Sequence, residues 1–369
     1  MLYHLLFPLT ETHQVFNVFQ YISFRAAWAM VTSLAICYGL YPWFIEKMRN
    51  AKMEQIIRTD GPQTHLETKV GTPTMGGVPL LISITISTLL WARLDQPVVW
   101  MTLTIMLGYG CIGFIDDYKK VMLASSDGLS GRWKLIGQAG IASVVLGLGY
   151  TSGVITPELA IPFFKDATLH FDTIVSGFPQ MSWLYIMFGV IVLTGTSNAV
   201  NLTDGLDGLA IGPVMTSAMT LGILVYLAGN INFSEYLSIP YVAGAGEMTV
   251  IAVTMVGAGL GFLWFNAYPA QIFMGDVGSL ALGGALGSLA ILSKNEILLV
   301  VIGGIFVVEA VSVIIQVFWY KRTGRRVFKM APIHHHYEKH GWSEPKIIVR
   351  FWIVSIVLAL IALSTLKVR

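Results

Sequence analysis

Charge is scarce in this sequence. Only 12% of its 369 residues are Asp, Glu, Lys or Arg, about half the share of a soluble domain, which excludes an ordinary water-facing surface over most of the chain. Cysteine is scarcer still. Cys37 and Cys111 each fall inside an apolar run, which excludes a disulfide framework and a cysteine metal site and leaves both as small packing residues. Net charge is only +2, too little for a nucleic-acid footprint, so no nucleic-acid partner is expected. The first 23 residues lack a basic start and include Pro8, Glu11 and His13; no cleavable signal is expected. No repeat and no soluble domain is visible, and residues 1–369 read as one membrane-embedded domain.

What the chain has is apolar length. Runs bounded by charge, Pro and Gly predict ten spans: Phe24–Ile45, Thr74–Ala92, Val98–Ile115, Leu135–Thr151, Trp183–Val200, Leu209–Ala228, Met248–Phe265, Ser279–Leu292, Ile297–Tyr320 and Val349–Leu366. The fold class is therefore an all-α polytopic membrane protein. Of the 23 Lys and Arg residues, 17 fall in loops after odd-numbered spans, so those loops are cytoplasmic and both termini face outward. The long outward loop near residues 152–182 alternates in polarity over Thr168–Ile174, which allows a small β-hairpin.

The polar residues are sided. Asp116-Asp117 closes the third span; Asn198, Asn201, Asp204 and Asp207 close the fifth; Asn266 closes the seventh, with Phe273-Met274-Gly275-Asp276 after it; His334-His335-His336 follows the ninth. All four clusters fall on the cytoplasmic face, where Lys and Arg are otherwise selected. A lone Asp-Asp pair at a helix end is as readily a solvated surface pair, but three acidic clusters on one face argue for a shared site. Adjacent carboxylates repel, which favours binding a cation. Mg²⁺ suits them, held by one or two carboxylates and phosphate oxygens. Helix neighbours point about 100° apart, so one Asp is expected to face the site and the other a supporting partner. Gly205 and Gly208 predict that the fifth helix stops, so that Asp204 and Asp207 point one way; turn capping is the plain alternative. Phe273 offers a face for a nucleobase, though packing alone would account for it. Lys69 beside GTPTMGG can neutralise a diphosphate. Three consecutive histidines cannot share one point; one or two are expected to handle phosphate or protons. Glu309 lies inside the ninth span and is assigned no catalytic role.

Five strings carry a resemblance: KVGTPTMGG at 69–77, GFIDDYKK at 113–120, NAVNLTDGLDGLA at 198–210, FNAYPAQIFMGDVGSLALGGALG at 265–287 and MAPIHHHYEKHGW at 330–342. In them the chain resembles the bacterial polyprenyl-phosphate N-acetylhexosamine-1-phosphate transferases. The triple-His string resembles the branch that handles muramoyl-pentapeptide rather than N-acetylglucosamine phosphate. The resemblance implies ten helices with periplasmic termini in the bacterial inner membrane, a cytoplasmic cleft, a break in the ninth helix near Gly303-Gly304, and a homodimer. It implies UDP-N-acetylmuramoyl-pentapeptide as donor, undecaprenyl phosphate as acceptor, lipid I and UMP as products, and Mg²⁺ as cofactor. Carried onto matching positions, it makes Asp116, Asp117, Asp276, His334, His335 and His336 catalytic, with Asp276 the metal ligand. Lys69, Thr74, Lys120, Asn201, Asp204, Asp207, Asn266, Phe273 and Gly275 would line the nucleotide and substrate site.

Two rival classes fit the sequence less well. A nucleotide-sugar transporter would place polar residues near the bilayer midplane in repeat-related halves, and neither is visible. A CDP-alcohol phosphotransferase needs an Ala-Arg near its Asp-Gly; Ala210 is followed by Ile211.

Overall fold

The computed structural model describes residues 1–54, 71–123, 128–162, 164, 167–171 and 182–367. Lys69 lies outside the described residues. The chain is a bundle of helices: α1 (Ile22–Asn50), α2 (Gly77–Trp91), α3 (Pro97–Met122), α4 (Gly131–Thr151), α5 (Ser182–Thr203), α6 (Ile211–Ala228), α7 (Met248–Asn266), α8 (Gly275–Leu292), α9 (Glu296–Ile302), α10 (Gly304–Thr323), α11 (Ile333–Glu338) and α12 (Glu344–Ser364). Every one of the ten expected spans falls on a helix, the ninth being α9 and α10 together. Among the described residues, eight helices are long and apolar enough to cross a membrane. Gly77–Trp91 is apolar but shorter.

Two boundaries move, with consequences for chemistry. The third span does not end at Ile115: α3 continues to Met122, so Asp116 and Asp117 lie within the helix and carry Lys120 with them. The i,i+4 pair of Asp116 with Lys120 and the basic residues of the last turn favour the added turns. The eighth helix begins at Gly275 rather than Ser279, which puts Asp276 in its first turn, where a carboxylate complements free N–H groups. The expected break in the ninth helix falls at Gly303, between α9 and α10. The hairpin allowed by the sequence is present as β1 (Glu158–Ala160) paired antiparallel with β2 (Thr168–His170).

The bundle is centred on α8, buried continuously from Val277 to Leu292 and packed against α3 and α5. Such a helix can be apolar all round. Without a hydrophobic drive between helices in lipid, close backbone approach has to supply the attraction. Gly257 and Gly261 of α7 do this against α1: a Cβ at either would strike Met30, Ser33, Leu34 or Cys37. The faces turned outward carry Trp28, Ile191, Ile314, Phe318 and Leu360, all exposed, as lipid-facing surfaces require. Near the start of α1, buried Arg25 donates to both carboxylate oxygens of Glu247 at 2.6 Å, a charge pair satisfied within the protein rather than by lipid.

Candidate active site

The site begins with a glycine contact. Gly113 of α3 lies so close to the backbone of Asp276 and Val277 that any side chain there would collide with it. That contact sets α3 against the start of α8, and one turn later Asp117 accepts a hydrogen bond from the Val277 amide at 3.1 Å. Asp117 thus satisfies an orphan N–H at the α8 N-terminus from a neighbouring helix. Gly275 has φ +75°, and a Cβ there would meet the Asp117 carboxylate and the Thr74 hydroxyl; both facts demand glycine.

Asp116, Asp117 and Asp276 each offer an oxygen within 4.8 Å of the others. Of the adjacent pair, expected to divide between the site and a supporting partner, both carboxylates reach the cluster, and Asp117 also takes the Val277 amide. Two lysines hold the acids. Lys120 lies 2.5 Å from Asp116, 3.3 Å from Asp276 and 3.8 Å from Asp117. Lys134, at the start of α4, lies 2.6 Å from Asp276 and 3.0 Å from Asp116. Three carboxylates against two ammoniums leave one net negative charge. Oxygen donors with a negative balance are what a hard divalent cation takes, so the cluster can hold a metal ion.

Asp116 also accepts from the Leu129 amide at 2.6 Å. Asn201 donates to Asp276 at 3.0 Å and to Ser279 Oγ at 2.8 Å. Asn198, three residues earlier on α5, turns away and donates to Gln138 of α4 at 2.7 Å. The helix then ends at Thr203, and a turn carries Asp204 and Asp207 toward the loop that precedes α8. Asp207 accepts from the Ala270 amide at 2.9 Å, while its own amide donates to Glu344 at 2.9 Å.

That loop is braced by Asn266, whose side chain donates to the Ile272 carbonyl at 2.8 Å. It is zipped to the GTPTMGG segment: Phe273 N–H donates to Pro73, Gly76 to Phe273 and Gly77 to Met274, at 2.8–2.9 Å. Thr74 is buried in this seam, whereas Phe273 is half-buried.

The histidines diverge. His334 is buried against Glu309 of α10. His335 pairs with Glu338 at 2.6 Å. His336 accepts from the Lys329 amide at 3.1 Å; burial, then the nearby His340 and Lys329, holds its imidazole below its usual range. His334 lies against the Asp204–Asp207 turn, over Gly205. Sequence reasoning missed Lys134 and Glu344 and gave Glu309 no catalytic role. Lys134 was legible only as one more basic residue of a cytoplasmic loop.

A sequence model of glycosyl transferase family 4 matches residues 99–294, the stretch that holds Asp116, Asp117, Lys134, Asn201 and Asp276. Over 370 aligned residues and the whole of both chains, this chain is 56% identical to the phospho-N-acetylmuramoyl-pentapeptide-transferase of Citrifermentans bemidjiense. It is 54% identical over the same length to the enzyme of that name from Syntrophus aciditrophicus, and 52% to that from Desulfotalea psychrophila. The chain belongs to the phospho-N-acetylmuramoyl-pentapeptide-transferase family, a transferase family of multi-pass membrane proteins.

Proposed function

We propose that this chain transfers phospho-N-acetylmuramoyl-pentapeptide from its UDP derivative to undecaprenyl phosphate, giving lipid I and UMP, at the cytoplasmic face of the bacterial inner membrane. The observation that carries the reading is the meeting of three carboxylates and two lysines at the N-terminus of α8. Both substrates are anionic, so their approach is opposed until charge is neutralised. Asp116, Asp117 and Asp276 would hold Mg²⁺, which when bound supplies neutralisation of the diphosphate and makes phosphorus open to attack.

The chain's own groups divide the remaining work. Lys120 and Lys134 hold the carboxylates together and offer positive charge to phosphate oxygens. Asp116 is engaged by Leu129, Lys120 and Lys134, which fixes it in place within the cluster. Asp117 accepts from the Val277 amide and makes only a longer 3.8 Å contact to Lys120, so it is the group less tied to a lysine and the one we assign to orient or deprotonate the acceptor phosphate. Direct attack by that phosphate is our reading; an aspartyl-phosphate intermediate is the other route. The zipped Phe273–Gly275 and Pro73–Gly77 segments, with Asn266, Asp204 and Asp207, form the nucleotide side, joined by Lys69 from the sequence motif. Homodimer formation belongs to the same proposal.

The test is direct. Purified protein with UDP-muramoyl-pentapeptide, undecaprenyl phosphate and Mg²⁺ should release UMP and form a lipid-linked product, and EDTA should stop both. No lipid product under those conditions, with uptake of the UDP-sugar into sealed vesicles instead, would overturn the transfer reading. Labelled phosphate trapped on an Asp during rapid quench would overturn the direct route alone.

A further inference from the structure

Glu309 is a buried acid that the carboxylate cluster leaves unused. It lies on α10 one turn past Ile305 and in line with Ser312, on the inward stripe of a helix whose other faces are exposed. Its side chain is 0% accessible. A carboxylate at that depth in a membrane-spanning helix is costly unless it is compensated. The one cation-forming group within ion-pair distance, among the described residues, is His334 of α11, with Nδ1 3.1 Å from Glu309 Oε1. Ring and carboxylate are not aligned for a hydrogen bond, and neither makes one elsewhere among the described residues; the contact is electrostatic.

The other edge of the ring has a definite destination. A Cβ built on Gly205 would strike His334 Nε2 first, then Cε1 and Cδ2. His334 therefore stands between α10 and the Asp204–Asp207 turn, with Nδ1 toward the membrane helix and Nε2 toward the turn. A carboxylate beside Nδ1 favours, by charge, a hydrogen on that nitrogen and leaves Nε2 to face the turn.

We infer that Glu309 is a positioning residue: it holds His334 in one ring orientation so that Nε2 is presented to the turn carrying Asp204 and Asp207. The assignment rests on the transfer reaction proposed above, in which His334 belongs to the cleft. A plain brace between α10 and α11 would need only the contact, not the orientation.

The experiment has two arms. In the first, full-length protein with ¹⁵N-labelled histidine is compared with Glu309→Met, His334→Gln identifying the signal. Wild type should carry a hydrogen on His334 Nδ1, and Glu309→Met should lose that signature; an unchanged signature would overturn the assignment. In the second, Glu309→Met should lower kcat on the order of 10- to 100-fold while KM for the UDP-sugar stays within about threefold. Glu309→Asp, which keeps the carboxylate, should recover most of that loss. The double variant Glu309→Met/His334→Gln should be no slower than His334→Gln. Losses that multiply in the double variant, or a kcat within twofold of wild type in Glu309→Met, would overturn it. An inactive wild type would instead sink the transfer reading, and the nitrogen signature would still decide whether Glu309 sets the ring.

Discussion

Replacing Asp276 by Asn removes one formal charge without changing shape, and the geometry says how much that matters. One carboxylate oxygen faces Lys134 at 2.6 Å and Lys120 at 3.3 Å; the other receives Asn201 at 3.0 Å. An amide has a single acceptor. With its oxygen toward the lysines, its NH₂ opposes the Asn201 NH₂; flipped, it opposes two ammoniums. Removing one member of a buried charge cluster costs about 3–5 kcal/mol. For the fold that figure is an upper bound, because Asp116 keeps both ammoniums at 2.5 and 3.0 Å. The detergent-solubilised protein should therefore melt only a few degrees lower. For the reaction the full amount applies, since the site changes from three acids to two. At 1.36 kcal/mol per decade, turnover should fall about 10²- to 10⁴-fold. UMP release and lipid product, measured across a Mg²⁺ titration, read the effect. Turnover within tenfold of wild type would refute the assignment of Asp276 to the metal and the reaction.

Gly113→Ala should separate α3 from α8, costing about 1–3 kcal/mol in thermal stability and more than tenfold in turnover; a fully active variant would show that backbone contact is dispensable. Lys134→Met leaves the three acids with one ammonium, so half-activating Mg²⁺ should fall severalfold while kcat drops; no change in either would remove Lys134 from the site. His335→Ala should reduce activity more than Arg326→Ala, because Arg326 reaches only the Lys329 carbonyl from an exposed position; the reverse order would relocate the cleft. Burial lowers the Lys294 ammonium from its usual 10.5 to about 8. The unfolded chain therefore holds one more proton between those values, and stability rises with pH there. Lys294→Met should flatten that rise in a melting-temperature series from pH 8 to 10; an identical slope would refute it.

The helices were legible because lipid demands long apolar runs, and runs can be read by eye. Their ends were not. Asp116 and Asp117 look like a terminus only when hydropathy is the ruler, yet the Asp116–Lys120 pair and the lysines of the last turn go with a helix that runs to Met122. Asp276 looked like a loop residue because the glycines around it suggest a loop, although Gly275 opens α8. Sidedness identified the three acids before any geometry was known, since acids on a face that favours bases need a reason. Lys134 stayed hidden for the converse reason: a base on that face needs none. Asn198 and Asn201 are the same residue type three apart, and nothing in one sequence says which faces Gln138 and which faces Asp276. The histidines could be told apart only by what each meets, which is tertiary information.

Packing and chemistry at this site are one arrangement. A helix buried all round cannot carry a charged residue in its middle, so α8 bears its acid at its first turn, where free N–H groups and the dipole favour it. Reaching that turn requires α3 to approach without a side chain in between, which Gly113 permits. Once the backbones meet there, Asp117 has no closer partner than the Val277 amide, and Asp116 is held beside it by Lys120 and Lys134. The charges gather at the end of the most buried helix because its N-terminus is the place where a buried helix still has polar groups to offer. Any change that shifts α3 along α8 by one residue would move Asp117 off the amide and open the cluster, even with every acid still present.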